Sequence, residues 1–367
     1  MSDDSPSSHG GVALRILFDG PQWHGSNAKG LADGFRRLGH ICVPVDQDRY
    51  VPTGRGLASR AVRRLMQPAF VRDFNRAVLY NADRLDPHLL VVFKGAYIVP
   101  ETIQRLKDRG IWTCVFYPDV SFMVHGSYIP RALPLYDHVF TTKSFGIEDM
   151  RSRLGVHNAT LLYHGFDPTV HRPLPDGSVV PTSFHCDVSF VGGWSAKKEE
   201  MILSVCRTLP DAKVNVWGTR WDSASAALKA RLAVTGPIYG DMYAAAIQAS
   251  RINLGLLHER VLGASSGDQV TSRTFHIPAA GGFMLHERTD ELAKFFTEGK
   301  EVACFDGPEE LAEKVAYYLG HDDERERIRL IGHQRCVSEN SLVQRAQVIV
   351  NCYREHAKRH RQGPACG

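Results

Sequence analysis

The run Asp268-Gln-Val-Thr-Ser-Arg-Thr-Phe-His-Ile-Pro-Ala-Ala-Gly-Gly-Phe283 holds the densest set of residues suited to an anionic ligand. It reads as a loop, a short helix and a Gly-Gly turn, with a new apolar strand over 283–285. A helix start offers free backbone N–H groups and the positive end of a dipole, which suit phosphate oxygens. Arg273 adds a forked, permanently charged donor. Asp268 and His276 flank it and could hold sugar or ribose hydroxyls. The plain alternative is an ordinary helix carrying a solvated arginine, because short motifs match often by chance.

A second phosphate candidate is Gly192-Gly-Trp-Ser-Ala-Lys-Lys198. Gly192 and Gly193 would let the backbone approach a ligand, and Lys197 and Lys198 could neutralise a diphosphate. The segment Gly236-Pro-Ile-Tyr239 precedes a helix; its backbone could pair with a nucleobase edge and Tyr239 could stack, or it is a structural turn. Nearer the start, Gly20, Trp23, His24 and Gly25 occupy the loop after the first strand and would line the acceptor side of a cleft. His24 is a proton-transfer candidate, since imidazole titrates near neutrality, although it is one of 17 histidines. Asp119 ends the strand of Phe116-Tyr-Pro-Asp and could orient an acceptor hydroxyl, act as a base, or cap a turn. Asp46-Gln-Asp48 matches a short metal-holding pattern, but two carboxylates make a poor cage for a hard cation, so no metal is expected. No P-loop, G-x-S-x-G or H-E-x-x-H occurs, and no G-x-G-x-x-G follows the first strand, which weighs against a dinucleotide oxidoreductase.

Something must bring these loops together. The 367 residues suggest two domains at roughly 100–200 residues each. Hydrophobic content of 43% and charged content of 23% suit a globular enzyme. A net charge of +4 with no basic stripe argues against nucleic acid. Eight cysteines without a C-x-x-C pair point to a reducing cytoplasm rather than disulfides or structural zinc. Residues 1–11 are polar and Ser-rich and read as a disordered tail. Strand patterns at 14–18, 41–45, 89–93, 112–117, 139–142 and 160–163 alternate with helical stretches, giving a first doubly wound domain over 12–172. A Pro- and turn-rich linker covers 173–186. A second series at 187–191, 213–217, 252–256, 283–286 and 302–305 builds a domain over 187–340, and helical patterns at 323–339 and 342–361 follow. Two such domains leave a cleft, and ligands bind beyond the C-terminal ends of the strands. The basic end Lys358-Arg-His-Arg361 could touch an anionic membrane weakly.

Several stretches resemble the CgeB-like (spore maturation protein) group of glycosyltransferases with the GT-B fold. They are Tyr136-Asp-His-Val-Phe-Thr-Thr-Lys143, Tyr163-His-Gly-Phe-Asp-Pro168 with His171-Arg-Pro173, Val188 to Gly193, and Thr271 to Leu285. The last continues through His286-Glu-Arg288 and Gly299-Lys-Glu301 to Pro308-Glu-Glu-Leu311. The resemblance implies two Rossmann-like domains facing across a cleft and a terminal helix over 341–367 crossing back to the first. It also implies a transferase that uses a nucleotide-diphosphate sugar as substrate, with no cofactor or metal, and an acceptor that is a polysaccharide, a protein or a small molecule. Donor residues would include Gly192, Gly193, Lys197, Lys198, Gly236, Tyr239, Asp268, Thr271, Arg273 and His276. Broader retaining families carry two glutamates where Asp268 and His276 look to stand, and the CgeB-like pattern usually has Glu at the second. That departure leaves a non-catalytic binding protein as one alternative; a sugar-nucleotide epimerase on the same fold is another.

Overall fold

The computed structural model describes residues 12–51, 57–232 and 234–361; the expected tail 1–11 lies outside them. The first half runs β1 (Arg15–Asp19), α1 (Asn27–Arg37), β2 (Ile41–Val45), α2 (Leu57–Leu85), β3 (Leu89–Phe93), α3 (Pro100–Lys107) and β4 (Trp112–Tyr117). It continues through α4 (Tyr128–Ala132), β5 (His138–Thr141), α5 (Ser144–Leu154) and β6 (Ala159–Leu161). The second half holds β7 (Cys186–Val191), α6 (Ala196–Thr208), β8 (Val214–Trp217), α7 (Ala226–Lys229), β9 (Val234–Thr235), α8 (Asp241–Gln248) and β10 (Ser250–Gly255). Then come α9 (Arg273–Ala279), β11 (Met284–Glu287), β12 (Ala303–Phe305), α10 (Gly307–Gly320), α11 (Asp322–Glu339) and α12 (Leu342–Arg361).

Each half builds one parallel sheet, ordered β2-β1-β3-β4-β5-β6 and β12-β11-β10-β7-β8-β9. Helices cover both faces of such a sheet, so its central strands are apolar without alternation: every residue of β3 (LLVVF) and β4 (WTCVFY) is buried. The strand order reverses between β1 and β3 in one sheet and between β7 and β10 in the other, and these reversals open crevices at the carboxyl ends. The two-residue edge strand β9 was not legible in the pattern, because two residues cannot show alternation.

After α11 the chain returns to the first sheet. Leu342, Ala346, Ile349 and Val350 of α12 are buried in one cluster with Leu31 and Phe35 of α1. A Cβ on Gly34 would come within 2.9 Å of the Leu342 carbonyl oxygen, and one on Gly30 within 2.7 Å of its Cδ1. Glycine at these positions is what allows the two helices so close. Among the described residues no helix is long and apolar enough to cross a membrane.

Candidate active site

The carboxyl ends of both sheets face a cavity of about 610 Å³, within the range of small-molecule sites. Its second-domain wall starts at the β7–β10 crevice. The Arg273 side chain lies over the Phe190 ring, 5.3 Å from guanidinium carbon to centroid, and its Nη2 donates to the Leu256 carbonyl at 2.7 Å. A Cβ on Gly192 would sit 3.0 Å from Arg273 Nη1 and 2.6 Å from Phe190 Cζ, so the turn after β7 must be glycine. Arg273 Nε is buried without a partner, as is Thr271 Oγ1 beside it. Lys198, on the first turn of α6 behind the Ser195 cap, is 5% exposed; its Nζ donates to the Gly193 carbonyl at 3.4 Å. Burial, and then the Arg273 charge, push the Lys198 ammonium down to about 8. Neither cation forms an ion pair with a carboxylate among the described residues.

Asp268 also lines this wall, but it is already engaged. Its Oδ1 is 2.5 Å from Lys143 Nζ of the first domain, with side chains 9% and 4% exposed. Residues 258–268 close on themselves, Asp268 N–H donating to the His258 carbonyl at 2.9 Å. The tip of this loop reaches the first domain. Ser121 Oγ donates to the Leu262 carbonyl at 2.7 Å, and Ser265 N–H donates to Asp149 Oδ2 at 2.9 Å.

The first-domain wall centres on Asp119, just after β4. Its Oδ2 is 2.8 Å from Lys94 Nζ and 3.3 Å from His125 Nε2. Lys94 leaves β3 at φ +70°, a conformation non-glycine residues adopt at a cost and keep mostly where function needs it. Arg220, another cavity residue, has φ +65°. Burial pulls the His125 pKa down; Asp119 opposes this and Lys94 adds to it. His125 therefore presents a neutral ring whose Nε2–H faces Asp119, leaving Nδ1 as an acceptor. Asn27 and the buried His164, whose pKa burial holds well below the usual value, complete this side.

Of the residues read from sequence, Asp119, Lys198, Asp268, Thr271 and Arg273 line the cavity, and Gly192 and Gly193 shape it. The others lie outside its lining. Lys197 ion-pairs with Glu287, which also accepts from Leu257 N–H at 2.6 Å; one residue along a helix turns the side chain by about 100°, away from the cavity. His276 is buried against His171, ring centroids 3.6 Å apart and planes 15° apart, with Nε2 3.2 Å from the Gly165 carbonyl. It packs the domain junction and is not among the cavity residues. His24, 57% exposed, faces Asp241 at 3.9 Å and also lies outside. Trp23 and Tyr239 meet with centroids 4.6 Å apart, and a Cβ on Gly25 would fall 2.6 Å from Gly240 N. Gly236 and Tyr239 thus belong, with Gly25, to loops that form a separate contact between domains, while Gly20 packs on Ala28 and Phe93. Asp46 caps the turn by accepting from Asp48 N–H at 3.1 Å.

Sequence reasoning missed Lys94, His125, Lys143, His164, Arg220 and His258. Each follows the end of a strand, so the rule that ligands meet the loops after strands would have flagged them.

Residues 197–351 match a family model described as Glycosyl transferase-like. No curated protein gives a match. Among solved structures, HepE of Anabaena in complex with UDP-glucose is similar at 12% identity and TM-score 0.65, covering 93% of this chain and 100% of that one. A glycosyltransferase from Rickettsia africae is similar at 11% identity and TM-score 0.62, covering 94% and 98%. A putative UDP-N-acetylglucosamine 2-epimerase from Listeria monocytogenes is similar at 10% identity and TM-score 0.54, covering 95% and 98%. Likeness at such identities speaks to fold alone. The chain has the GT-B fold, two parallel-sheet domains with C-terminal helices, and residues 197–351 carry the match to the glycosyl transferase-like family.

Proposed function

We propose that this protein is a glycosyltransferase that moves a sugar from a nucleoside-diphosphate donor to an acceptor hydroxyl. One observation carries the reading: Lys198 and Arg273 are buried cations that make no direct ion pair with a carboxylate among the described residues at the second-domain crevice. Buried charge with unmet donors is costly unless an anion completes it. A donor diphosphate supplies that anion, and charge growing on the departing diphosphate would be stabilised by the same two groups. These side chains bring the positive charge a divalent metal would otherwise bring, which favours metal-independent transfer. Neighbours solved with UDP-glucose and with UDP make a uridine nucleotide the first donor to test.

On the facing wall, the acceptor hydroxyl gives its proton to Nδ1 of His125, and Asp119 with Lys94 fixes the ring. The C1–O bond to the diphosphate breaks, its electrons stay with the diphosphate, and the acceptor oxygen bonds to C1. The stretches quoted above make the CgeB-like group our subfamily assignment, and the unpaired thiols of the described cysteines suit a cytoplasmic setting. The solved epimerase-like neighbour favours one second reading, donor isomerisation without an acceptor. His276 stacks on His171 at the domain junction, outside the cavity lining.

Thermal-shift titration with UDP-, ADP-, GDP- and dTDP-sugars tests the reading. A true donor at about 100 times its dissociation constant stabilises by about 2.7 kcal/mol. Arg273→Ala should abolish that gain; an equal gain in the variant refutes the site. Conversion of the donor to an epimer by the protein alone would select the second reading.

A further inference from the structure

The first domain carries a surface that glycosyl transfer does not use. α2 divides at Pro68, which cannot donate to the carbonyl four residues back. Beyond it Phe70, Val71, Phe74, Val78 and Ala82 are buried in the domain. Before it Val62, Leu65 and Met66 are 53%, 80% and 48% exposed, with spacing that puts all three on one helical face. Arg64 and Arg72 are exposed on the same stretch, residues 62–72, which has no Asp or Glu before Asp73. Beside this segment lies a cavity of about 410 Å³ whose walls combine Val71, Leu79 and Val99 with Arg72, Arg76 and Arg105. Asp73 pairs with Arg72 at 3.2 Å and Arg76 at 3.7 Å, and Glu101 stands at the edge.

We propose that this face docks on an anionic phospholipid bilayer, with the 62–66 stretch of α2 lying in the interface and the arginine-walled groove receiving a lipid headgroup and the start of its chain. Exposed apolar side chains on one helical face, arginines on the same segment and no acids are the composition of an interfacial helix. A protein partner would need an acidic apolar groove of matching shape; a bilayer needs only charge of the right sign and a soft apolar layer. Val99 and Tyr128 connect this groove to the loops after β3 and β4, which bear Lys94, Asp119 and His125. Docking therefore sets the acceptor wall beside the membrane. If the glycosyl transfer reading holds, the acceptor is presented at that surface; docking itself does not depend on it.

Co-sedimentation of the full chain, without donor, with phosphatidylcholine vesicles and with vesicles containing phosphatidylglycerol tests this. The expected result is binding to the anionic vesicles only, weakened by salt and not displaced by inorganic phosphate at equal ionic strength. Arg64→Glu should weaken it by well over fivefold, since one cation at an anionic surface contributes roughly fivefold and the reversal counts twice. Leu65→Ser with Met66→Ser should weaken it by more than tenfold while leaving the thermal midpoint and donor binding unchanged. No preference for anionic vesicles, or binding unmoved by these variants, overturns the proposal. So does a loss of oligomeric mass in the double variant, which would make the face a contact between copies.

Discussion

The two walls of the cavity handle charge in opposite ways. On the second-domain wall, Lys198 and Arg273 are desolvated and make no direct ion pair among the described residues, although Asp268 and Glu287 stand near enough to offset part of the charge. On the first-domain wall, Asp119 already holds Lys94 and His125. An unpaired buried charge costs free energy in the empty protein and returns it only when an opposite charge arrives, so that wall binds. A paired cluster keeps its geometry without ligand, which suits an orienting wall, although Asp119 Oδ2 is ion-paired there without a well-formed hydrogen bond. Transfer needs one of each: a grip on the leaving group and a fixed acceptor for a proton.

The comparison breaks most directly at His125. His125→Gln should lower kcat by roughly 10²–10⁴ while donor affinity stays unchanged. The wild-type rate should fall with acid as His125 protonates below its ordinary value, and the variant should lose that limb; an unchanged profile would return the role to another group. Next is the contrast between neighbouring lysines. Lys198→Ala should cost roughly 10²-fold or more in kcat/KM, whereas Lys197→Ala, which breaks only its pair with Glu287, should cost a few-fold. Equal losses would mean the cavity is not where the diphosphate lies.

Smaller, but sharper in sign, is the pH dependence of donor binding. The Lys198 ammonium titrates near 8 in the empty protein, and a bound diphosphate would raise that value. Donor affinity should therefore decline by about tenfold per pH unit above about 8, with proton uptake visible by calorimetry in two buffers. The weakest effect on turnover is expected at the domain junction. Burial lowers His171 to about 3 and holds His276 well below 6.5, so the unfolded chain binds more protons than the native one as pH falls through 6.5. The thermal midpoint should drop on acidification below that point, and His276→Gln should blunt the drop while leaving kcat near wild type.

Legibility followed the same divide. Arg273, Lys198 and Gly192 could be read because a strand, a glycine turn and a helix start are local signals. The strand series was readable too, apart from small offsets such as β5 at His138–Thr141 rather than 139–142. His125 and Lys143 also follow strands, but no local pattern singles them out within those loops. Their partners, Asp119 and Asp268, are 6 and 125 residues away, and type alone does not separate one histidine from sixteen others. Lys197 and His276 show the converse: both have a suitable type in the same segments, but their side chains engage Glu287 and His171 and do not line the cavity.

The amino-acid order by itself determined two parallel sheets, because buried runs such as LLVVF and WTCVFY between helical stretches have few other ways to leave water. It also determined that a glycine turn and cations would follow β7, and that a cation would open α9 with a Gly-Gly turn after it. Only the tertiary structure decided which charges stay unpaired. That depends on Lys143 crossing to Asp268 and Glu287 capturing Lys197, contacts between residues far apart in the chain that exist only once the domains have packed.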